Sequence, residues 1–121
     1  MAFTLTTIAP DPVGTTIVSD SSVTSTVQVP VTSGHSIYQI HIDNTANTGT
    51  AFYLNLVDAN TGISAATTTD YRFYCAKGST ATYVIETGLV FSTGLSYWGV
   101  TSPAHGSTAN PGSAVSVKLL V

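Results

Sequence analysis

Apolar and polar residues take turns along most of this chain, and Gly, Pro, Asn or Asp interrupts the alternation every few residues. A period of two places successive side chains on opposite faces of an extended strand, whereas an amphipathic helix needs a period near 3.6. No stretch shows helical spacing. Val23, Val27, Val29 and Val31 fall on one face of an extended segment, with Thr24, Thr26 and Gln28 opposite. After a turn at Ser33-Gly34-His35, the residues Tyr38, Ile40 and Ile42 share one face and Gln39, His41 and Asp43 the other. Phe52, Leu54 and Leu56 repeat the pattern and stop at the turn signal Asp58-Ala59-Asn60-Thr61-Gly62. Residues 63–70 are small and polar and read as a loop. Tyr71, Phe73 and Cys75 alternate up to Lys77-Gly78-Ser79, and Tyr83 and Ile85 follow. Residues 89–100 bend into a further strand, and residues 102–112 form a long loop. Val115, Val117, Leu119 and Val121 make the last strand.

Seven or eight evenly spaced strands predict an all-β, single-domain antiparallel β-sandwich or jelly roll. Two sheets packed about 10 Å apart bury the apolar faces. The sandwich is expected over residues 23–121. Residues 1–22 are interrupted by Pro10, Asp11, Pro12 and Gly14. They read either as an extended arm lying on a neighbour or as an edge strand with a loop.

Charge narrows the function classes. Charged residues make up 7% of the 121 residues, against about 25% in an ordinary soluble domain. Three Lys and Arg face six Asp and Glu. Nucleic-acid binding runs on phosphate neutralisation, so three scattered bases argue against it, and the same count argues against a basic membrane-surface helix. No apolar run approaches the ~20 residues of a membrane span. Met1-Ala2-Phe3-Thr4-Leu5-Thr6 lacks a basic start and an apolar core, so the expectation is a protein that is not secreted. The single Cys75 allows no disulfide within the chain.

The residues for catalysis are sparse. His41 and Asp43 point to the same face and could be two metal ligands, but the spacing supplies no third; a solvent-facing polar pair beside Gln39 is the favoured reading. No serine is marked as a nucleophile, and Asp beside turns usually cap their own backbone. Cys75 reads as a buried structural thiol. No catalytic, cofactor-binding or metal-ligating residue is therefore assigned, and the chain is not expected to be an enzyme. Trp98 and the tyrosines fit either packing or a surface for protein or sugar.

Three segments carry a resemblance. Ile37 to Asn44 contains the form xxIxIxN, Ala51 to Asp58 contains the form xYLxLxD, and Gly88 to Thr101 reads GLxFSTGLxxxxVT. With the last strand, Ser113 to Val121, the sequence resembles small β-sandwich virion proteins of tailed bacteriophages over residues 36–121. The resemblance implies a structural role in the virion, assembled in the host cytoplasm. The leading form is a capsid decoration (cement) protein that binds the outside of a phage head between capsomers. The partners implied are the shell of major capsid protein and further copies of itself, as a homotrimer. The segment Ala66 to Ala76 is more aromatic than in such proteins, which keeps neck, tail and fibre roles open. A carbohydrate-binding module is the reading from another class; it requires two or three coplanar exposed aromatics among Tyr38, Tyr53, Tyr74 and Trp98. The residues expected at an interface are Phe3, Leu5, Pro10 and Pro12 in the N-terminal stretch, Trp98, and Pro103, His105 and Pro111 in the long loop.

Overall fold

A computed structural model describes residues 3–7 and 16–121. Among them lie nine strands and no helix: β1 (Phe3–Thr7), β2 (Thr16–Asp20), β3 (Gln28–Val31), β4 (His35–Asp43), β5 (Phe52–Val57), β6 (Tyr71–Cys75), β7 (Thr80–Phe91), β8 (Leu95–Val100) and β9 (Ser116–Leu120). They form two antiparallel sheets, β1-β2-β9-β4-β7 and β3-β8-β5-β6, and so a β-sandwich. The pairings β2–β9, β3–β8, β4–β7 and β5–β6 are nested, each inside the one before.

The alternation read from the sequence builds the core. Ile37, Ile40 and Ile42 of β4 and Val117 and Leu119 of β9 meet Phe52, Leu54 and Leu56 of β5 and Leu95 and Tyr97 of β8. A Leu to Ala change at such a site costs roughly 2–5 kcal/mol, from lost transfer free energy and the cavity left behind. A buried side-chain link crosses this layer: the Tyr97 hydroxyl donates to the Asp20 carboxylate at 2.7 Å, tying β8 of one sheet to β2 of the other. Ser22 N–H donates to the same carboxylate, so the buried charge is not left without partners.

Several local expectations change. The valine segment is a strand only over Gln28–Val31. Val23 packs in the core from irregular chain, its N–H bonded to Val115 O. In β4 the inward position falls to Ile37, not Tyr38, because the pairing with β7 shifts between Ile37 and Gln39. The partner residues Val84 and Leu89 are five apart while Gln39 and Ile37 are two apart, so β7 bulges. Gly88 sits in that bulge at φ +81°, and an added Cβ would lie 2.9 Å from Ser36 Cβ and Tyr38 Cε1. Residues 3–7 and 16–20 are strands of the five-stranded sheet.

Candidate interaction surfaces

The motif residues turn out to be anchors of the fold. Asp58, which closes xYLxLxD, accepts hydrogen bonds from Ser92 N–H at 2.9 Å, Thr93 N–H at 2.8 Å and the Ser92 hydroxyl at 3.0 Å. It thereby clamps the turn in GLxFSTGL. Those backbone donors, Thr93 first and then Ser92, hold its carboxyl below the usual carboxylate range. Asn44, which closes xxIxIxN, donates to Thr50 O and Ala76 O and accepts from Asn47. Asn47 in turn pins Ser113 through both its amide atoms. These side chains position loops at the ends of the sandwich and are occupied in doing so.

His41 and Asp43 are likewise engaged. His41 Nδ1 lies 2.8 Å from Thr82 Oγ1, and Asp43 accepts from the Thr45 hydroxyl and N–H, the hydroxyl contributing most to its lowered carboxyl pKa. Among the described residues no three of His, Cys, Asp and Glu are grouped as a metal would need. Cys75 is buried, and burial pushes its thiol up.

The two outer faces of the sandwich differ. Trp98 is 1% exposed, a correction to its place among the interface residues: it packs inside the chain. It points outward from the four-stranded sheet, but Ala59, Ile63 and Ala65 of the 58–70 loop fold over it together with Val27, forming a second small core with Val57 and Val100. Sequence reasoning missed this cover because a small polar loop carries no period. The 101–112 loop is tied to the same sheet by Arg72, which donates to Asn55 Oδ1 at 2.7 Å and to Pro103 O at 2.8 Å, and is closed on itself by Thr101 N–H bonding to Ala109 O. Pro103 and His105 are exposed on this loop and Pro111 is half-buried.

Among the described residues, no such cover lies over the five-stranded sheet. One cross-strand row runs its full width: Thr6, Ile17, Leu120, Gln39 and Val84, each paired with the next. The adjacent row is Thr4, Ser19, Lys118, His41 and Thr82. A shallow groove of about 240 Å³ lies between Ile17, Gln39, His41, Lys118 and Leu120. Across these two rows Lys118 is the one Lys, Arg, Asp or Glu, and Val84 is 66% exposed. Phe3 is half-buried, Leu5 is 54% exposed, and Pro10 and Pro12 lie outside the described residues.

A sugar platform is not assembled from the named aromatics. Trp98 is buried, Tyr38 and Tyr53 are half-buried, and the Tyr53 and Tyr74 rings are inclined at 56°.

No family model, no curated protein and no solved structure matches this chain.

Proposed function

We propose that this chain is a structural protein of a phage virion, of the capsid decoration type, and that it attaches through the outer face of its five-stranded sheet. The observation that carries the reading is the contrast between the two faces: one sheet is roofed by the chain's own loops, the other presents a full-width row of uncharged side chains. A row of uncharged side chains loses little on desolvation and meets no like-charge repulsion when many copies crowd together.

The nested strand pairing is that of a ribbon rolled up on itself, which we read as a jelly roll. Viral capsid domains use this architecture, and lectin domains use it too, so the fold supports the reading without selecting it. The resemblance in residues 36–121 supports the virion side. Five strands spaced about 4.8 Å apart and five residues long at about 3.3 Å each give a footprint of roughly 400 Å². A stable pairwise interface takes about 800 Å² per partner. A single such contact is weak, and repetition over a symmetric shell makes up the difference through avidity. Neck, tail or fibre placement is the alternative, since those sites also repeat the chain by symmetry.

The test uses particles purified from a strain lacking this chain, incubated with the purified protein and sedimented. Wild type is expected to pellet with the particles, and Val84→Glu/Leu120→Glu to pellet several-fold less while keeping the wild-type melting curve. Equal pelleting of both proteins, or of neither, contradicts the proposal.

A further inference from the structure

Of the three Lys and Arg in the chain, Arg72 is bonded to its own sheet and loop, and Lys77 stands in the turn between β6 and β7. Lys118 has no such use. It lies on β9, the middle strand of the five-stranded sheet, and is exposed on the outer face. It makes no hydrogen bond and no ion pair. Lysine is depleted in strands, and where sheets do use it, it guards an edge against the addition of another strand. A middle strand, paired on both sides, needs no guard. The described carboxylates nearest to it in register are engaged elsewhere. Asp43, one outward position further along β4, accepts two hydrogen bonds from Thr45. Asp20 of β2 is buried on the inner side and bonded to Tyr97.

The groups beside Lys118 are donors. His41 faces it across β4 and Ser19 faces it across β2, and Gln39 is the next outward residue of β4. Facing Cβ atoms of an antiparallel pair lie about 4.5–5.5 Å apart, and Lys118, His41 and Gln39 all border the groove. His41 Nδ1 meets the Thr82 hydroxyl. When that hydroxyl gives its proton, the other ring nitrogen keeps one and donates. The groove holds about 240 Å³, with Ile17 and Leu120 in its wall, less than the ~300–1,000 Å³ of small-molecule sites. It has room for one side chain that ends in an acceptor.

We propose, on the footing of the attachment reading above, that this groove receives an acidic side chain, Asp or Glu, of the shell protein. Lys118 is its counter-charge, and His41 and Gln39 are its hydrogen-bond donors. Docking a surface over Lys118 strips the ammonium of water. An ammonium buried without an opposite charge is strongly unfavourable, whereas one that meets a carboxylate fixes the register and excludes partners lacking the acid. The uncharged row alongside supplies contact area, and Lys118 supplies selectivity.

The test uses particles lacking this chain, either native or with their exposed carboxylates capped as amides by carbodiimide and glycinamide. Wild type, Lys118→Met and Lys118→Glu are titrated against both by sedimentation. Lys118 is exposed, so the substitutions are expected to leave the melting curve in place. On native particles Lys118→Met is expected to bind at least about tenfold more weakly than wild type, and Lys118→Glu more weakly still. On capped particles wild type is expected to fall to the level of Lys118→Met. Equal affinities on native particles, or a gap that survives capping, overturns the carboxylate pairing and leaves attachment through the face standing, which Val84→Glu/Leu120→Glu tests separately. Failure of wild type to pellet with native particles overturns both.

Discussion

Asp58 shows how much of the fold one side chain can fix. It gathers three main-chain N–H groups and a hydroxyl from the β7–β8 turn, so Asp58→Ala leaves those donors to water and is expected to cost about 1–2 kcal/mol in urea denaturation. Its folded carboxyl pKa is lowered; a group of that kind stabilises the fold above its unfolded value of about 3.9 and loses the contribution as pH falls through the folded value. Stability of the wild type is therefore expected to drop below about pH 4, and Asp58→Asn to flatten that part of the profile. Tyr97 gives the opposite limb. Burial first, then its bond to Asp20, raises the phenol far above its ordinary range, so the fold is expected to weaken as pH rises past about 10, where the unfolded tyrosine ionises. Tyr97→Phe removes this alkaline limb but strips Asp20 of a partner, at a cost of about 1–3 kcal/mol near neutrality. The turn role of Asp58 was legible in the sequence, as Asp beside a turn. Its bonds to residues more than thirty positions away were not, because spacing along the chain does not reveal which loops share an end of the sandwich.

At the scale of elements, period-two patterning located most of the strands, since burial on one face leaves that trace in β4, β6 and β9. It failed where the backbone breaks step. Tyr38 was expected inside and Ile37 takes the place, because a bulge shifts the register, and only Gly88 hints at it in the sequence. Gly88→Ala forces a side chain into positive φ and against Ser36 and Tyr38, and is expected to destabilise by about 1–3 kcal/mol, measured by thermal unfolding. Trp98 is a second failure, since its strand position faces outward and only the 58–70 loop buries it. Ile63→Asp places a charge in that cover. The expected result is a red-shifted Trp98 emission with faster quenching by acrylamide, while far-ultraviolet circular dichroism stays unchanged.

For the whole molecule, the low charge that stood out in the sequence gains a location. Among the described residues, the chain's own loops roof one sheet, while the other presents a full-width row of uncharged side chains. Composition gave the low charge but not which face carries the uncharged row; that required the strand order. The interface expected at the 102–112 loop shifts in emphasis, because Arg72 holds that loop against its own sheet. The central claim is that this face serves a repeating particle. The most direct measurement is the number of copies of this chain per purified virion, by quantitative mass spectrometry against the major shell protein. Hundreds of copies in a simple ratio to the shell subunit is the result the account predicts. A handful or a dozen contradicts the decoration role and moves the chain to the neck, tail or fibres, and absence from the particle contradicts the virion reading altogether.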